Sequence, residues 1–190
     1  HYPLRRQRQM CIRDRYMESS KNLVLVGMMG SGKTLIGKLI SKQMKLRFVD
    51  IDIEIEEKEK MKIADIFKKK GEKYFRECEE KITISYLKSE KRVLSLGGGA
   101  YINANIRKEC NKNSLTFWLN WKKDIILKRI NGSKKRPLAM GLSATDLENL
   151  FHARSKIYSF ADFTINCDHL NKKEIANKII KKYEIKNNKS

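Results

Sequence analysis

Short apolar, β-branched runs recur along the chain, and between them apolar residues return every three or four positions. Leu23–Val26, Arg47–Asp50, Val93–Leu96, Leu115–Leu119 and Phe163–Asn166 read as strands. The helical period predicts helices over Lys33–Met44, Asp52–Lys60, Ile63–Lys70, Glu72–Lys88, Asn103–Cys110, Lys123–Ile130, Ala144–Ser159 and Lys172–Ile185. Phe75, Cys78, Ile82 and Tyr86 share one face of the fourth helix, and Ile175, Ile179 and Tyr183 one face of the last. Strands alternating with helices predict an α/β architecture, a five-stranded parallel sheet flanked by helices on both faces.

The first strand runs straight into Gly27-Met-Met-Gly-Ser-Gly-Lys-Thr34, a full match to G-x-x-x-x-G-K-[ST]. Its glycines let successive backbone N–H groups turn inward onto phosphate oxygens, and the helix starting at Lys33 adds the positive end of its dipole. Lys33 is expected to reach the β and γ phosphates of a nucleoside triphosphate, and the Thr34 hydroxyl to hold Mg²⁺. A glycine-rich turn that binds nothing is the plainer reading, and the strand before it and the helix after it argue against that.

Ligands of doubly wound sheets sit beyond the carboxyl ends of the strands. After the second strand come Asp50 and Asp52, spaced to point the same way from an extended segment. Asp52 alone would read as the cap of the next helix. A second carboxylate at the mouth of a phosphate site favours metal binding and base chemistry. After the third strand stand Gly97, Gly98 and Gly99, whose entropic penalty implies close backbone approach to something bulky. Asn131–Ser143 has no periodicity, is basic and carries Gly132, Arg136, Pro137 and Gly141, the character of a mobile lid over an anionic ligand. Arg76, Arg136 and Arg154 each read alone as surface charges, yet a guanidinium fork matches carboxylate and phosphate oxygens two at a time.

With 190 residues, the chain fits one domain with a true core. Cys11, Cys78, Cys110 and Cys167 form no C-x-x-C pair and the three histidines do not cluster with them, which argues for a reducing, cytoplasmic setting and against zinc. No run approaches the roughly 20 apolar residues of a membrane span. The net charge of +20 comes from lysines interleaved with Glu, Ile and Asn, so it reads as a solvated surface and not as a nucleic-acid stripe. Residues 1–16 are arginine-rich, lack periodicity and include Met10-Cys-Ile-Arg-Asp-Arg15, which a common transposon adaptor would encode. They are expected to be a non-native, disordered extension, with one domain over 17–190 and its lid over about 131–143.

The ordered set made by the phosphate loop, Phe48-Val-Asp-Ile-Asp52, Ile63-Ala-Asp-Ile-Phe67, Gly71-Glu72, Phe75-Arg76, Glu79, Leu96-Gly-Gly-Gly-Ala100, Arg136-Pro-Leu138, Arg154 and Tyr158 resembles shikimate kinase, a small P-loop kinase family, from about Leu23 to the last helix. The resemblance implies the three-layer P-loop kinase fold and transfer of the ATP γ-phosphoryl group to the 3-hydroxyl of shikimate. It implies catalysis by Asp52, Lys33 and Arg136, with Asp52 as proton acceptor. It places ATP on Gly27, Gly30, Ser31, Gly32, Lys33, Thr34, Leu35, Arg129 and Arg136, with Arg129 stacked on adenine. Shikimate would meet Asp52, Arg76, Gly97, Gly98, Gly99 and Arg154, and Mg²⁺ would meet Thr34 and Asp50, with Glu79 orienting Arg76. The partners implied are ATP and shikimate, with no nucleic acid and no membrane, and a monomer.

Three positions depart from the family pattern. Leu35 stands where a second hydroxyl is common, Cys167–Lys172 lacks the proline that often closes the adenine pocket, and Ala139 replaces a larger apolar residue. Two alternatives stay open, a gluconate-type kinase on the same fold and a basic NTP-binding module acting on nucleic acid.

Overall fold

The computed structural model describes residues 21–131 and 143–187. The expected extension over 1–16 and most of the expected lid, Arg136 included, lie outside the described residues.

The strands β1 (Asn22–Val26), β2 (Arg47–Asp50), β3 (Arg92–Ser95), β4 (Ser114–Asn120) and β5 (Phe163–Asn166) form one sheet in the order β2-β3-β1-β4-β5. Every pairing is parallel, with Leu23 opposite Val93 and Leu115. The helices are α1 (Lys33–Met44), α2 (Ile51–Glu59), α3 (Ile63–Leu87), α4 (Ala104–Asn113), α5 (Lys123–Asn131), α6 (Ala144–Tyr158) and α7 (Lys172–Asn187). A short 3₁₀ turn, Ala100–Ile102, stands before α4, where the periodicity predicts no separate element.

Alternation along β1 divides the interior in two. Leu23 and Leu25 pack with Ile36 and Ile40 of α1 and with Ile175, Ile179 and Tyr183 of α7. Val24 and Val26 face the other way, toward Ile51 and Ile55 of α2, Ile66, Phe75 and Ile82 of α3, Ile106 of α4, Ile126 of α5 and Leu147 of α6. A strand buried on both faces becomes the continuous apolar run seen in the sequence. All four positions of that run, 23–26, are at most 1% exposed.

Two expectations need correction. Asp50 and Asp52 do not project together from an extended segment, because the strand ends at Asp50 and Asp52 lies in the first turn of α2. The cap is Asp50, whose Oδ1 accepts from the Asp52 N–H at 3.2 Å. On α3 the buried face is Phe75, Glu79, Ile82, Thr83 and Leu87, whereas Cys78 and Tyr86 are only half-buried. A carboxylate therefore stands where hydrophobic patterning expects an apolar residue.

The two predicted helices over 63–70 and 72–88 run on as α3, broken at Gly71 with φ 81° and ψ 168°. That backbone region is essentially reserved for glycine, and a side chain there is strained by about 1–3 kcal/mol even where space is open. A Cβ at Gly71 would meet nothing within 4 Å, so the strain is conformational. Gly71→Ala should lower the unfolding free energy by about 1–3 kcal/mol in urea denaturation. An unchanged midpoint would show that the break is not held in solution.

Candidate active site

The loop between β1 and α1 is shaped by glycines at positive φ, Gly27 (143°), Gly30 (83°) and Gly32 (88°). Gly32 is the N-cap of α1 and offers no side-chain cap, so the helix's first N–H groups are left for a ligand. Lys33 is 9% exposed. Its Nζ donates to the carbonyls of Gly27 (2.8 Å) and Met28 (3.0 Å), which draws the ammonium across the mouth of the loop. Thr34 Oγ1 donates to Asp50 Oδ2 at 2.6 Å, which joins α1 to the end of β2.

These groups open into a cavity of about 920 Å³. Gly30, Gly32, Lys33, Thr34, Leu35, Asp50, Asp52, Arg76, Gly97, Gly98, Gly99 and Arg154 line it together, with Glu79 and Phe75 beside Arg76. Of the remaining expected site residues, Gly27, Ser31 and Arg129 are not on its wall, and Arg136 lies outside the described residues. Residues as far apart in sequence as Gly30 and Arg154 thus converge, in large part because β1, β2 and β3 are neighbours and all end on one side of the sheet.

Gly97–Gly99 forms the part of the wall against which the charged groups pack. A Cβ at Gly97 would sit 2.6 Å from Asp52 Oδ1 and 2.7 Å from Glu79 Oε1. At Gly98 it would sit 3.4 Å from Arg154 Nη1, and at Gly99 2.6 Å from Arg76 Nη1. None of the three has a positive φ, so space and not backbone torsion favours glycine here, strongly at Gly97 and Gly99 and more weakly at Gly98. The bulky neighbours expected from the sequence include the protein's own charged side chains.

Arg76 is held from two sides. Its Nη1 donates to Glu79 Oε2 at 2.7 Å and its Nη2 to Glu72 Oε1 at 3.1 Å. Arg154 is held differently. It is 7% exposed, its Nη1 reaches the Met28 sulfur at 3.9 Å, and its Nε has no hydrogen-bond partner among the described residues. Among the described residues no carboxylate meets it directly, though the charge of Glu79 acts on it and the Tyr158 side chain lies beside it. One turn along α6, the Tyr158 hydroxyl donates to the Gly98 carbonyl. Burial pushes that phenol up to about 12, so it stays a donor at neutral pH.

Burial, with the charges of Asp50 and Glu79 beside it, pushes the Asp52 carboxyl up to about 7, against the lowering pull of Lys33 and Arg76. Burial also raises Glu79, opposed by Arg76. A carboxyl poised near neutrality, facing a phosphate-binding loop, is suited to taking a proton from a hydroxyl.

The sequence analysis did not single out Trp121. It follows β4 directly, as the other pocket loops follow their strands, and its indole Nε1–H donates to the Ser31 carbonyl at 2.9 Å. The Arg129 guanidinium lies 3.9 Å over its ring and donates to the Gly30 carbonyl at 3.3 Å.

Among the described residues, no helix is long and apolar enough to cross a membrane. A family model described as shikimate kinase matches residues 29–184. A shikimate kinase of Bartonella quintana is 40% identical over 160 residues, 84% of this chain and 76% of its own. One from Persephonella marina is 38% identical over 84% of this chain and 97% of its own. The structure of shikimate kinase from Acinetobacter baumannii in complex with shikimate superposes with a TM-score of 0.83 at 30% identity, covering 90% of this chain and 97% of that one. From the Gly27–Thr34 loop to the last helix, this chain belongs to the shikimate kinase family.

Proposed function

We propose that the chain transfers the γ-phosphoryl group of ATP to the 3-hydroxyl of shikimate, with ATP on the Gly27–Thr34 loop and shikimate among Asp52, Arg76, Arg154 and Gly97–Gly99. The observation that carries this reading is Arg154, a buried guanidinium on the cavity wall that no carboxylate among the described residues meets directly, Glu79 acting on it only from a distance. A buried charge without a direct counter-ion is unfavourable, so the site favours an anion that supplies one. The planar carboxylate of shikimate suits it, shared with Arg76 across the glycine wall.

In this reading the Asp52 carboxylate accepts the proton of the 3-hydroxyl as the oxygen attacks the γ phosphorus and the bond to the β-phosphate oxygen breaks. Lys33 leaves the carbonyls of Gly27 and Met28 for the phosphates, and the N-terminal N–H groups of α1 hold them in line. Arg136, outside the described residues, would offset charge on the transferred group. Positioning and electrostatics supply most of the acceleration in such reactions.

Mg²⁺ fits beside the loop at Thr34 Oγ1 and Asp50 Oδ2, two hard oxygens 2.6 Å apart on the cavity wall. Among the described residues no group of three or more His, Cys, Asp or Glu could hold a metal ion, so Thr34 and Asp50 would hold Mg²⁺ together with the bound nucleotide. When bound, it would neutralise phosphate charge. The free thiols of Cys78, Cys110 and Cys167 suit a reducing cytoplasm, and a single chain supplies the groups named here, which favours a monomer.

A coupled ADP-release assay with shikimate, gluconate and single-stranded DNA tests the reading. Turnover is expected with shikimate alone, and turnover with gluconate alone would overturn it. Arg154→Ala should raise the KM for shikimate about 10- to 100-fold and leave that for ATP nearly unchanged, the loss expected for a charge-assisted hydrogen bond. A larger rise for ATP would place Arg154 on the nucleotide instead.

Asp52→Asn should lower kcat by about 10²- to 10⁴-fold, the usual contribution of a general base, while ADP affinity persists. The same carboxyl makes the stability of the apoprotein pH-dependent. Its folded value, about 7, lies above its ordinary value of 3.8. The native state therefore holds the extra proton between those values, and the stability this provides is complete below about pH 4 and lost as pH rises through 7. Asp52→Asn should remove that decline, so urea midpoints at pH 5 and pH 8 should differ less in the variant than in the parent. Equal differences would place the Asp52 carboxyl in its ordinary range.

A further inference from the structure

We propose that Trp121 is a positioning residue for the nucleotide, its indole N–H fixing the phosphate loop and its ring face fixing Arg129, so that one side chain couples the phosphate and base ends of the site. The inference rests on the nucleotide reading above.

Ser31 lies between Gly30 and Gly32, two residues at positive φ in the part of the loop with the greatest torsional freedom. A trans peptide is planar, with its C=O and N–H pointing to opposite sides. Holding the Ser31 carbonyl on Trp121 Nε1 at 2.9 Å therefore directs the Gly32 N–H away from the indole. Gly32 lines the cavity and Ser31 does not, so that direction is toward the phosphates. The preceding peptide is fixed at both ends: its N–H, on Ser31, donates to the Met28 carbonyl at 3.1 Å, and its C=O, on Gly30, accepts from Arg129 at 3.3 Å. Trp121 thus holds one of these peptides directly and the other through the arginine it stacks on.

The stacking sets the second role. An arginine side chain is flexible, and its ordering opposes ligand binding. Placed 3.9 Å over an indole, the guanidinium is held by its attraction to the ring, while Arg129 as a whole remains exposed. A purine nucleoside triphosphate on the loop would then meet a flat cation already in place, with indole on one face and the base on the other. Trp121 touches neither phosphate nor base in this arrangement and acts through Gly32 and Arg129.

Calorimetric titration with MgADP and with inorganic tripolyphosphate separates the two arms, using Trp121→Leu, Trp121→Phe, Arg129→Ala and the double variant Trp121→Leu/Arg129→Ala. Trp121→Leu should weaken MgADP about tenfold, with the KM for shikimate unchanged. In the Arg129→Ala background the same substitution should cost at least threefold less. Trp121→Phe keeps a ring for the guanidinium but lacks the N–H, so it should weaken MgADP and tripolyphosphate equally, by about threefold. Arg129→Ala should weaken MgADP more than tripolyphosphate.

Equal losses of MgADP affinity on Trp121→Leu with and without Arg129 would overturn the stacking role. Unchanged tripolyphosphate affinity in Trp121→Phe would overturn the loop role, and should Trp121→Leu fail to fold, Trp121→Phe still decides the loop role while Trp121→Met takes the place of Trp121→Leu in the cycle with Arg129→Ala to decide the stacking role. A rise in shikimate KM matching that for nucleotide would mark Trp121 as merely structural. If the parent protein binds no MgADP, the nucleotide reading itself fails; if it binds MgADP and the Trp121 variants match it, only this inference fails.

Discussion

Asp52, Glu79, Arg76 and Arg154 approach the same three-residue stretch of backbone, and methyl groups at Gly97 and Gly99 would come within 2.6 Å of Asp52 and Arg76 oxygen or nitrogen atoms. Contacts that short do not occur between real Cβ atoms and their neighbours, so the charged groups can gather here only because the wall carries no side chains. The geometry of the site follows from that bare wall. Asp52 comes from the start of α2, Arg76 and Glu79 from beyond the break in α3, Arg154 from α6, and the glycines from the end of β3. The parallel sheet brings the strand ends together, and the glycines let the side chains from the helices close in.

Gathering charge in a partly dry cavity is unfavourable unless the charges are paired. Arg76 is paired, with Glu72 and Glu79. Asp52 relieves the crowding by holding its proton up to about 7, pressed by burial and by the nearby Asp50 and Glu79 carboxylates. Arg154 has no direct carboxylate contact within the described residues and feels Glu79 only from a distance. In the proposed reading the same feature gives the site selectivity for an anion, since a carboxylate would supply the direct acceptor that Arg154 lacks.

Much of this was legible in the sequence because the physics is local. The apolar run Leu23–Val26, the glycines at 27, 30 and 32, and Lys33 and Thr34 announce a strand, a tight loop and a helix start by spacing alone, and the strand and helix ranges lie within a few residues of the observed ones. Where the reading went astray, a tertiary contact decided. Asp50 took the capping role because Thr34, from another element, held its carboxylate at the strand end. Glu79 faces inward on α3 because Arg76 meets it there. The glycine run was read as close backbone approach to something bulky, and the protein's own charged side chains are among the groups that approach it. Trp121 gave no signal because its partners, Ser31 and Arg129, are 90 residues upstream in one case and on the next helix in the other.

The central claim is that a buried Arg154 without a direct carboxylate contact makes the cavity a receptor for a carboxylate held in line with the phosphate loop. Shikimate and its methyl ester differ at that one group and share the reacting hydroxyl. Measured by ADP release at saturating MgATP, kcat/KM should fall at least tenfold on going from the acid to the ester, with the loss mainly in KM. Equal kcat/KM for the two would contradict the account.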